Sequence, residues 1–245
     1  MTSDDYTLSM SELSRTLVIG DGDLSTIIAA AAAADAALLA EPDPERRRAL
    51  RPVMYVPPLF GVSAAARKWA LRRQAELFEM ELVEASADSR EKPQGGTGQG
   101  EWPRDTLNLV QASVAAIERG CTQVVWPTHT VHAQSPDLDD VARAVDRALL
   151  VARLISLDGD HHGQPGFRIE TPLVDLSDRQ LADLVIDMDL PVRLCWWWHA
   201  EMSQGGAAEF RTHHDRWTAV LREVGWRESS EPRGHTVEKP AAGGV

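Results

Sequence analysis

The chain has 245 residues, of which 43% are hydrophobic, and this is enough for one large α/β domain with a sizeable core. Its formal net charge of −12 argues against wide contact with a nucleic-acid backbone, because such contact needs Lys and Arg side chains that neutralise phosphates. The only two cysteines, Cys121 and Cys195, provide no disulfide framework and favour a reducing compartment, which we expect to be the cytoplasm.

The two ends of the chain differ in composition from the part between them. Met1 to Ser14 is polar and acidic, unlike a signal peptide, so residues 1–15 are predicted to be a flexible N-terminal tail. Residues 16–228 form a single predicted domain, and residues 229–245, rich in Gly, Pro and charge, a disordered C-terminal tail. The longest apolar run, around Ile27 to Ala34, is too short and too rich in alanine to span a bilayer, so no membrane contact is expected.

The first half of the chain alternates short apolar runs with helical patterns. Thr16 to Ile19 predicts a buried strand, and Leu24 to Leu39, where alanine dominates, predicts a helix. Strand, helix and strand follow in turn over Arg51–Val56, Ser63–Phe78 and Glu79–Val83. Arg67 falls on the solvent side of the second helix together with the other basic residues of that helix. Ser86 to Gly100 is rich in Gly, Ser, Gln and charge, and is predicted to be a loop.

The second half continues the alternation. Trp102-Pro103 opens a helix to Ile117, which Gly120 caps. Ser177 is the predicted N-cap of a later helix. The remaining elements are a strand over Thr122–Trp126, a helix over Leu138–Leu157, a short strand from Phe167 to Glu170, and helices over Ser177–Met188 and Ala207–Val224. Strands that alternate with helices imply βαβ units, so the predicted fold is α/β: a three-layer sandwich around a mostly parallel five-stranded sheet.

The segment between the first strand and the first helix carries the main functional signal. Backbone N–H groups at a helix N-terminus carry partial positive charge and point at an anion, so a Gly-containing turn between strand and helix is typical of phosphate binding. In a parallel sheet, ligands bind beyond the carboxyl ends of the strands, at the point where the strand order reverses. The first strand commonly flanks that point. The candidate nucleotide-binding residues are therefore Gly20, Asp21, Gly22, Ser25 and Thr26.

The two aspartates of this segment allow other interpretations. Like charges 4 Å apart repel by ~4 kcal/mol at an effective dielectric near 20, so Asp21 and Asp23 would repel a polyphosphate. A Mg²⁺ ion, which prefers hard oxygen ligands, could bind both carboxylates and bridge them to the phosphates. Alternatively, Gly20 to Ser25 is a plain strand-to-helix turn with Ser25 as N-cap, and the aspartates are solvated carboxylates near the helix dipole.

A second group of residues offers zinc ligands. Zinc accepts thiolate and imidazole in a tetrahedral shell. Such ligands are present at Cys195, His199, His213 and His214, although their spacing follows no standard finger pattern. The alternative is that the region is held by packing of Trp196-Trp197-Trp198, because each indole buries a large area. The same tryptophans could also stack on a purine or form a dimer face.

Two further side chains are candidates for contact with a substrate. Arg104 lies near the start of a predicted helix, where its guanidinium can bind a carboxylate or phosphate through two hydrogen bonds. It could equally be a solvated arginine beside Asp105. His129 follows a strand and therefore lies at the binding edge of the sheet, where a histidine can transfer a proton or hydrogen-bond to a loop.

Four separated segments show a family resemblance. They are Leu17 to Thr26, Trp102 to Leu107, Val124 to Asp137, and Ile169 to Ser177 with Leu194-Cys195-Trp196. In order and spacing they resemble the 7-cyano-7-deazaguanine synthases, a family of PP-loop ATP pyrophosphatases. That family turns 7-carboxy-7-deazaguanine, ammonia and ATP into a nitrile in queuosine biosynthesis, and its members commonly bind zinc and pair as dimers.

The resemblance has specific implications for this chain. It implies an ATP-dependent ligase that forms C–N bonds, with ATP and Mg²⁺ as cofactors, a purine or nucleotide as ligand, and a homodimeric state. It places Arg104 close to the substrate, and Cys195 and His213 at positions of zinc ligands.

The sequence also departs from the family pattern. Asp21 and Leu24 stand where the family loop has a glycine and an aspartate, and Asp178 stands where it has a lysine. Only Cys195 remains of the zinc cysteines. The leading hypothesis is therefore a divergent member that keeps a nucleotide or purine pocket but has impaired ATP-dependent chemistry. The alternatives are an active ligase with a bridging Mg²⁺, and a non-catalytic structural or partner-binding protein.

Overall fold

Five parallel strands form the sheet in the described part of this computed structural model, in the order β3-β2-β1-β4-β5. The strands are β1 (Arg15–Ile19), β2 (Val53–Val56), β3 (Glu81–Glu84), β4 (Cys121–Val125) and β5 (Arg168–Glu170). Both the α/β class and the five-stranded parallel sheet predicted from the sequence are confirmed. The strands are short, and β2 together with the second half of β1 is apolar and buried, which is expected because helices cover both faces of a parallel sheet.

The structure describes residues 15–85, 104–130, 137–158, 166–199 and 207–227. The predicted loop at 86–100, the tail predicted over 1–15 apart from Arg15, and the tail predicted over 229–245 lie outside these ranges. None of the described helices is both long enough and apolar enough to cross a membrane.

The helices alternate with the strands as the sequence predicts, apart from the short helix Pro44–Arg47, which the sequence does not predict. They are α1 (Leu24–Ala40), α2 (Pro44–Arg47), α3 (Ala64–Leu77), α4 (Arg104–Glu118), α5 (Leu138–Asp158), α6 (Asp178–Asp187) and α7 (Ala207–Glu223). Two short 3₁₀ turns, Val192–Leu194 and Trp196–Trp198, connect α6 with the last part of the chain. Ser177 is the N-cap of α6, as predicted, and Gln180 completes a capping box with it.

Alternate residues of the central strand pack into two different helix layers. Leu17 of β1 packs with residues of α4 and α5 on one face, whereas Val18 packs with residues of α1 and α3 on the other. Successive side chains of a strand point to opposite faces, so this alternation produces the three layers of the fold. A third cluster, between α1, α3, α6 and α7, buries Trp196 and Trp197 completely.

The strand order creates one reversal point, between β1 and β4. The chain proceeds from β1 outward to β2 and β3, and then returns to the other side of β1 to form β4 and β5. At such a point the loops that follow the two central strands diverge and leave a crevice at the carboxyl edge of the sheet. The candidate residues that follow β1 and β4 therefore lie at the same edge.

Candidate functional site

A cavity of about 320 Å³ lies at the reversal point, and we call it the switch-point cavity. This volume falls at the lower end of the range for small-molecule sites, about 300–1,000 Å³. Its polar and aromatic lining comes from the turn after β1 (Asp21, Asp23, Ser25), from the segment after β4 (Trp126, Thr128, His129), from α3 and α4 (Arg67, Asp105, Asn108), and from α7 (His213, Arg216, Trp217).

The structure brings part of the predicted set together. The candidates that line the switch-point cavity are Gly20, Asp21, Ser25, His129 and His213. Those that do not line it are Gly22, Thr26, Arg104 and Cys195. Arg104 lies instead over the ring of Phe60, 5.5 Å from its centroid, while Asp105 and Asn108 of the same helix reach the cavity.

The backbone N–H groups of the turn after β1 donate hydrogen bonds to acceptors within the turn. The N–H of Asp21 donates to Oγ1 of Thr26 at 3.0 Å, and the N–H of Asp23 donates to Oδ1 of Asp21 at 2.9 Å. Leu24 N–H donates to the carboxylate of Asp23 at 2.8 Å, and Thr26 N–H to the carbonyl of Asp23 at 3.1 Å. A phosphate cradle needs such donors to point at the anion. Here four of them bond within the turn itself.

The N-cap of α1 is Asp23, so the interpretation of Ser25 as N-cap is wrong. Asp23 has extended backbone dihedrals, and its carboxylate accepts from Leu24 N–H, which makes Leu24 the first helical residue. Ser25 lies one residue further on, inside the first turn of the helix, and its residue is buried. The carboxylate of Asp23 lies two residues before Ser25 and takes the capping position, where its negative charge is favoured by the positive end of the helix dipole.

The glycines of the turn are required by close packing. A Cβ on Gly20 would lie 2.8 Å from Sδ of Met54 and would overlap the side chain of Leu71. Gly22 has φ of +83°, and a Cβ there would lie 3.2 Å from both the carbonyl oxygen of Arg67 and Cβ of Ala70. Both glycines therefore let α3 approach the turn, and this brings Arg67 to the switch-point cavity.

Asp23 is the most perturbed carboxyl group of the site. Burial raises its pKa to about 6, and the nearby charge of Asp21 acts in the same direction. Hydrogen bonds from Leu24 N–H and from Nε1 of Trp197, the latter 2.6 Å long, oppose this rise because they favour the ionised form, as does the charge of Arg67. Asp23 can therefore change its charge near neutral pH.

Arg67 brings positive charge to the same site, although its helical position predicted a solvent-facing side chain. That prediction is wrong: the side chain is 23% exposed, and its guanidinium lies over the ring of Trp196 at 4.3 Å. It also donates to Oγ of Ser63 at 3.1 Å and to the carbonyl of Asp21 at 3.4 Å. Stacking on a buried indole fixes the guanidinium in place at the edge of the cavity.

Arg216 supplies a second positive charge, from α7. Its Nε and Nη2 donate to the two carboxylate oxygens of Asp178 at 2.8 and 2.6 Å. Nε2 of His129 lies 3.4 Å from Oδ1 of the same carboxylate. Asp178, which is 5% exposed, therefore orients two cavity-lining side chains from two different elements. The sequence alone marks Asp178 only as a departure from a family pattern.

His213 faces the two arginines as a neutral side chain. Burial lowers its pKa, and the charges of Arg67 and Arg216 lower it further. Its Nδ1 is buried and has no hydrogen-bond partner within the described residues. A neutral imidazole with one unpaired nitrogen can donate to or accept from a ligand in the cavity.

The residues present do not fit a zinc site. Cys195 is fully buried, and burial raises its thiol pKa well above the usual range, with the charges of Asp23 and Asp21 adding to this effect. A cysteine binds zinc as a thiolate, the form that burial disfavours here. His199 is bonded through Nε2 to the carbonyl of Arg193 at 2.8 Å. Across the ranges that the structure covers, no group of three or more His, Cys, Asp or Glu side chains could hold a metal ion.

A magnesium ion would need oxygen atoms from its ligand as well. Asp21 and Asp23 both line the cavity, but Oδ1 of each already accepts hydrogen bonds. Mg²⁺ is often held by only one or two carboxylates, with substrate phosphates and water completing its octahedral shell. The two carboxylates alone therefore do not form a magnesium site among the described residues.

Comparisons with known proteins give a likeness of structure but not of sequence. No family model matches the sequence, and no curated protein matches it either. Among solved structures, the chain is similar to the U34-tRNA thiolase NcsA from Methanococcus maripaludis with its [4Fe-4S] cluster, at 14% identity and a TM-score of 0.42. The similarity covers 86% of this chain and 70% of that chain. A likeness of this degree assigns no activity, so the site's own residues must carry the functional argument.

Proposed function

We propose that this chain is a divergent PP-loop-type protein, related to the 7-cyano-7-deazaguanine synthases, that binds a purine-type small molecule in the switch-point cavity. In this proposal the turn after β1 no longer drives ATP hydrolysis. The observation that carries it is that backbone N–H groups of the turn already donate to acceptors of the turn itself. These acceptors are the carboxylates of Asp21 and Asp23, the hydroxyl of Thr26 and the carbonyl of Asp23. The pyrophosphate of ATP would have to displace these bonds and approach two carboxylates.

The charges of the cavity support a ligand that has both hydrogen-bond donors and acceptors. Asp21 and Asp23 both line the cavity, and carboxylates accept hydrogen bonds but cannot donate when ionised. Arg67 of α3 and Arg216 of α7 line the same cavity, and their guanidinium groups are hydrogen-bond donors. A purine has both N–H donors and acceptor nitrogens, and so can satisfy both kinds of group.

The aromatic lining supports a flat ring system. Trp126 and Trp217 both line the cavity, and Trp217 is 2% exposed. Aromatic faces favour planar ligands through stacking and through the large apolar area that they bury. His129 and His213 line the same cavity, and an imidazole can offer a hydrogen bond to such a ligand.

A second candidate function is an active ATP-dependent ligase. It is supported by the two carboxylates at the cavity, Asp21 and Asp23, which a Mg²⁺ ion could bridge to the phosphates of ATP. The bound ion would neutralise the repulsion that otherwise disfavours a polyphosphate. In that case His129, which Asp178 orients, would be the candidate group for proton transfer.

Thermal unfolding with added ligands tests these proposals. A ligand at one hundred times its Kd stabilises the native state by ~2.7 kcal/mol, which is readily measured. We expect a shift with guanine or 7-deazaguanine, and a smaller shift with ATP alone than with ATP and Mg²⁺. The variant Asn108→Trp fills the cavity and should abolish the purine shift, whereas its matched control, Leu107→Trp on the exposed side of α4, should keep it.

Each outcome selects one function. A purine shift that Asn108→Trp removes supports the proposed purine site. No shift with any purine or nucleotide overturns it and leaves the non-catalytic structural or partner-binding role. Release of pyrophosphate on addition of ATP, Mg²⁺, 7-carboxy-7-deazaguanine and ammonia selects the active ligase instead.

A further inference from the structure

The connection between α6 and α7 is bonded to the turn after β1. The backbone N–H of Trp196 donates to the carbonyl of Gly22 at 3.0 Å. Nε2 of Gln74, a fully buried residue of α3, donates to the same carbonyl at 3.3 Å and to the carbonyl of Leu194 at 3.1 Å. The turn and residues 194–196 are therefore held against each other by hydrogen bonds as well as by packing.

Trp197 makes a further contact between the same two segments. Its Nε1 donates to Oδ1 of Asp23 at 2.6 Å, across 174 positions of sequence. The backbone N–H of Leu24 donates to the same oxygen at 2.8 Å. An indole N–H and a backbone N–H are donors only, so both of them require Oδ1 to be an acceptor.

Burial of the indole alone does not explain this bond. Nε1 of Trp196 and Nε1 of Trp217 are also buried, and neither atom has a hydrogen-bond partner among the described residues. The fold therefore accommodates buried indoles without such a bond. Nε1 of Trp197 instead donates to a residue that lines the switch-point cavity, which points to a role in the site as well as in the core.

The two donors on Oδ1 leave the other carboxylate oxygen of Asp23 for a ligand. In the described part of the chain, both hydrogen bonds to this side chain end on Oδ1. Asp23 lines the cavity, and its pKa of about 6 means that the carboxylate is ionised at pH 8. Oδ2 then accepts a hydrogen bond and cannot donate one.

We propose that Trp197 is a positioning residue of the switch-point cavity, and that its indole N–H holds Oδ1 of Asp23 so that Oδ2 accepts a hydrogen bond from an N–H group of the ligand. This inference rests on the proposed purine function, and it names the part of the ligand that Asp23 recognises. In a guanine-type ring the 2-amino group belongs to the edge that carries the N–H donors, so we assign this group to Asp23.

Calorimetric titration at pH 8 tests the contact with two ligands that differ by one group. 7-Deazaguanine has the 2-amino group, and 7-deazahypoxanthine lacks it. The wild type should bind 7-deazaguanine at least tenfold more tightly, as expected for one hydrogen bond to a charged group. Trp197→Phe keeps an aromatic ring without an N–H, and should reduce this preference to less than about threefold.

Asp23→Asn gives an opposite prediction and leaves the buried indole in place. The amide oxygen can still accept from Leu24 N–H and from Trp197, which puts the amide NH₂ in the position of Oδ2. A donor then faces the 2-amino group, so this variant should bind 7-deazahypoxanthine more tightly than 7-deazaguanine. A wild-type preference in Asp23→Asn overturns the proposal.

The matched control is Trp198→Phe, at the next tryptophan of the chain. The ring of Trp198 contacts His214 and Trp226, with centroids 5.2 and 5.9 Å apart, and Trp198 does not line the cavity. This variant should keep the wild-type preference. An equal loss of preference in Trp197→Phe and Trp198→Phe would assign the effect to packing, which overturns the positioning role.

The indole resonance of Trp197 tests the bond to Asp23 in the ligand-free protein. In a nitrogen-15 NMR spectrum this resonance is the one that Trp197→Phe removes. It should shift in Asp23→Asn, because a neutral acceptor replaces a charged one, and remain in place in Asp183→Asn, a variant at an exposed position of α6. A resonance that Asp23→Asn leaves in place overturns the inference without reference to any ligand.

The titrations also separate this inference from the proposed function. A wild type that binds both ligands with equal affinity keeps the purine site and overturns the roles of Asp23 and Trp197. A wild type that binds neither ligand overturns the purine function, and with it the ligand contact assigned to Asp23.

Discussion

Asp178 and Arg216 tie α6 to α7 through two parallel hydrogen bonds of 2.8 and 2.6 Å, at the wall of the switch-point cavity. The Asp178 side chain is 7% exposed and that of Arg216 28% exposed. Such a bidentate pair fixes the plane of the guanidinium as well as its position. The pair therefore holds Arg216 in the cavity wall whether or not a ligand is present.

Removal of this carboxylate should destabilise the fold. We expect Asp178→Ala to lower the free energy of unfolding by about 2–4 kcal/mol, because it leaves a largely buried guanidinium without its acceptor. Asp183→Ala, on the exposed side of the same helix, should change it by less than about 0.5 kcal/mol. Urea unfolding at pH 7 measures both values. Equal effects of the two variants would show that the ion pair contributes nothing specific.

Asp23 should make stability depend on pH in an unusual direction. Its pKa is near 3.8 in the unfolded chain and about 6 in the folded protein, so the folded protein binds this proton more tightly. The stabilisation from protonated Asp23 is complete below pH 3.8 and is lost as pH rises through 6. We therefore expect Asp23→Asn, which keeps one acceptor oxygen for Leu24 N–H and Trp197, to be more stable than the wild type at pH 7.5.

The difference between variant and wild type isolates this carboxyl from others. Hydrogen bonds from basic side chains lower the pKa of Glu81 and Glu84, so these residues change the stability with pH in the opposite direction. Because the wild type and the variant both contain them, their effects cancel when the two proteins are compared. The advantage of Asp23→Asn should be about 1–3 kcal/mol at pH 7.5 and should decrease at pH 5. Urea unfolding at both values checks this. An advantage that grows as pH falls would contradict the raised pKa.

The local elements of the fold could be predicted because their signals lie within a few residues. Ser177 and Gln180 are three residues apart, and the capping box that they form begins α6 where the sequence predicts it. The apolar run of β1 and the alanine-rich sequence of α1 likewise predict their elements from local signals. The predicted boundaries differ from the observed ones by one or two residues for most elements, as frayed ends and caps allow.

The site could be predicted only in part, because its partners are distant in sequence. Asp178 and Arg216 are 38 residues apart, so sequence reasoning could note the acidic residue but not its role. Arg67 has the helical position of a solvent-facing residue, and only the indole of Trp196 explains why it turns inward. Asp23 and Ser25 are both chemically suitable N-caps and lie two residues apart, so the sequence alone does not rank them. The structure shows that Asp23 is the N-cap.

Gly22 should tolerate a side chain less well than another glycine of the same backbone conformation. Gly22 and Gly120 have φ of +83° and +67°, so alanine is strained at both, by about 1–2 kcal/mol. A Cβ at Gly22 would also meet Ala70 and the Arg67 carbonyl at 3.2 Å, whereas nothing lies within 4 Å at Gly120. Gly22→Ala should therefore cost about 1–3 kcal/mol more than Gly120→Ala in urea unfolding. Equal costs would show that α3 can move away from the turn.

The two thiols should be unreactive in the folded protein. Burial raises the pKa of Cys121 to about 11, and that of Cys195 well above the usual range, so neither forms the reactive thiolate near neutral pH. We expect the thiols of the native protein at pH 8 to react with Ellman's reagent only at the rate of unfolding. In roughly 6 M guanidinium chloride, which unfolds ordinary domains, both thiols should react at once.

The same burial predicts that removing metal ions leaves the protein unchanged. Treatment with EDTA should not alter the melting temperature, because Cys195 is a neutral buried thiol and the region around it is held by Trp196 and Phe210, whose rings are 5.1 Å apart. Elemental analysis should find zinc well below one equivalent. Stoichiometric zinc that Cys195→Ser releases would contradict this, since it would require the thiolate that burial disfavours.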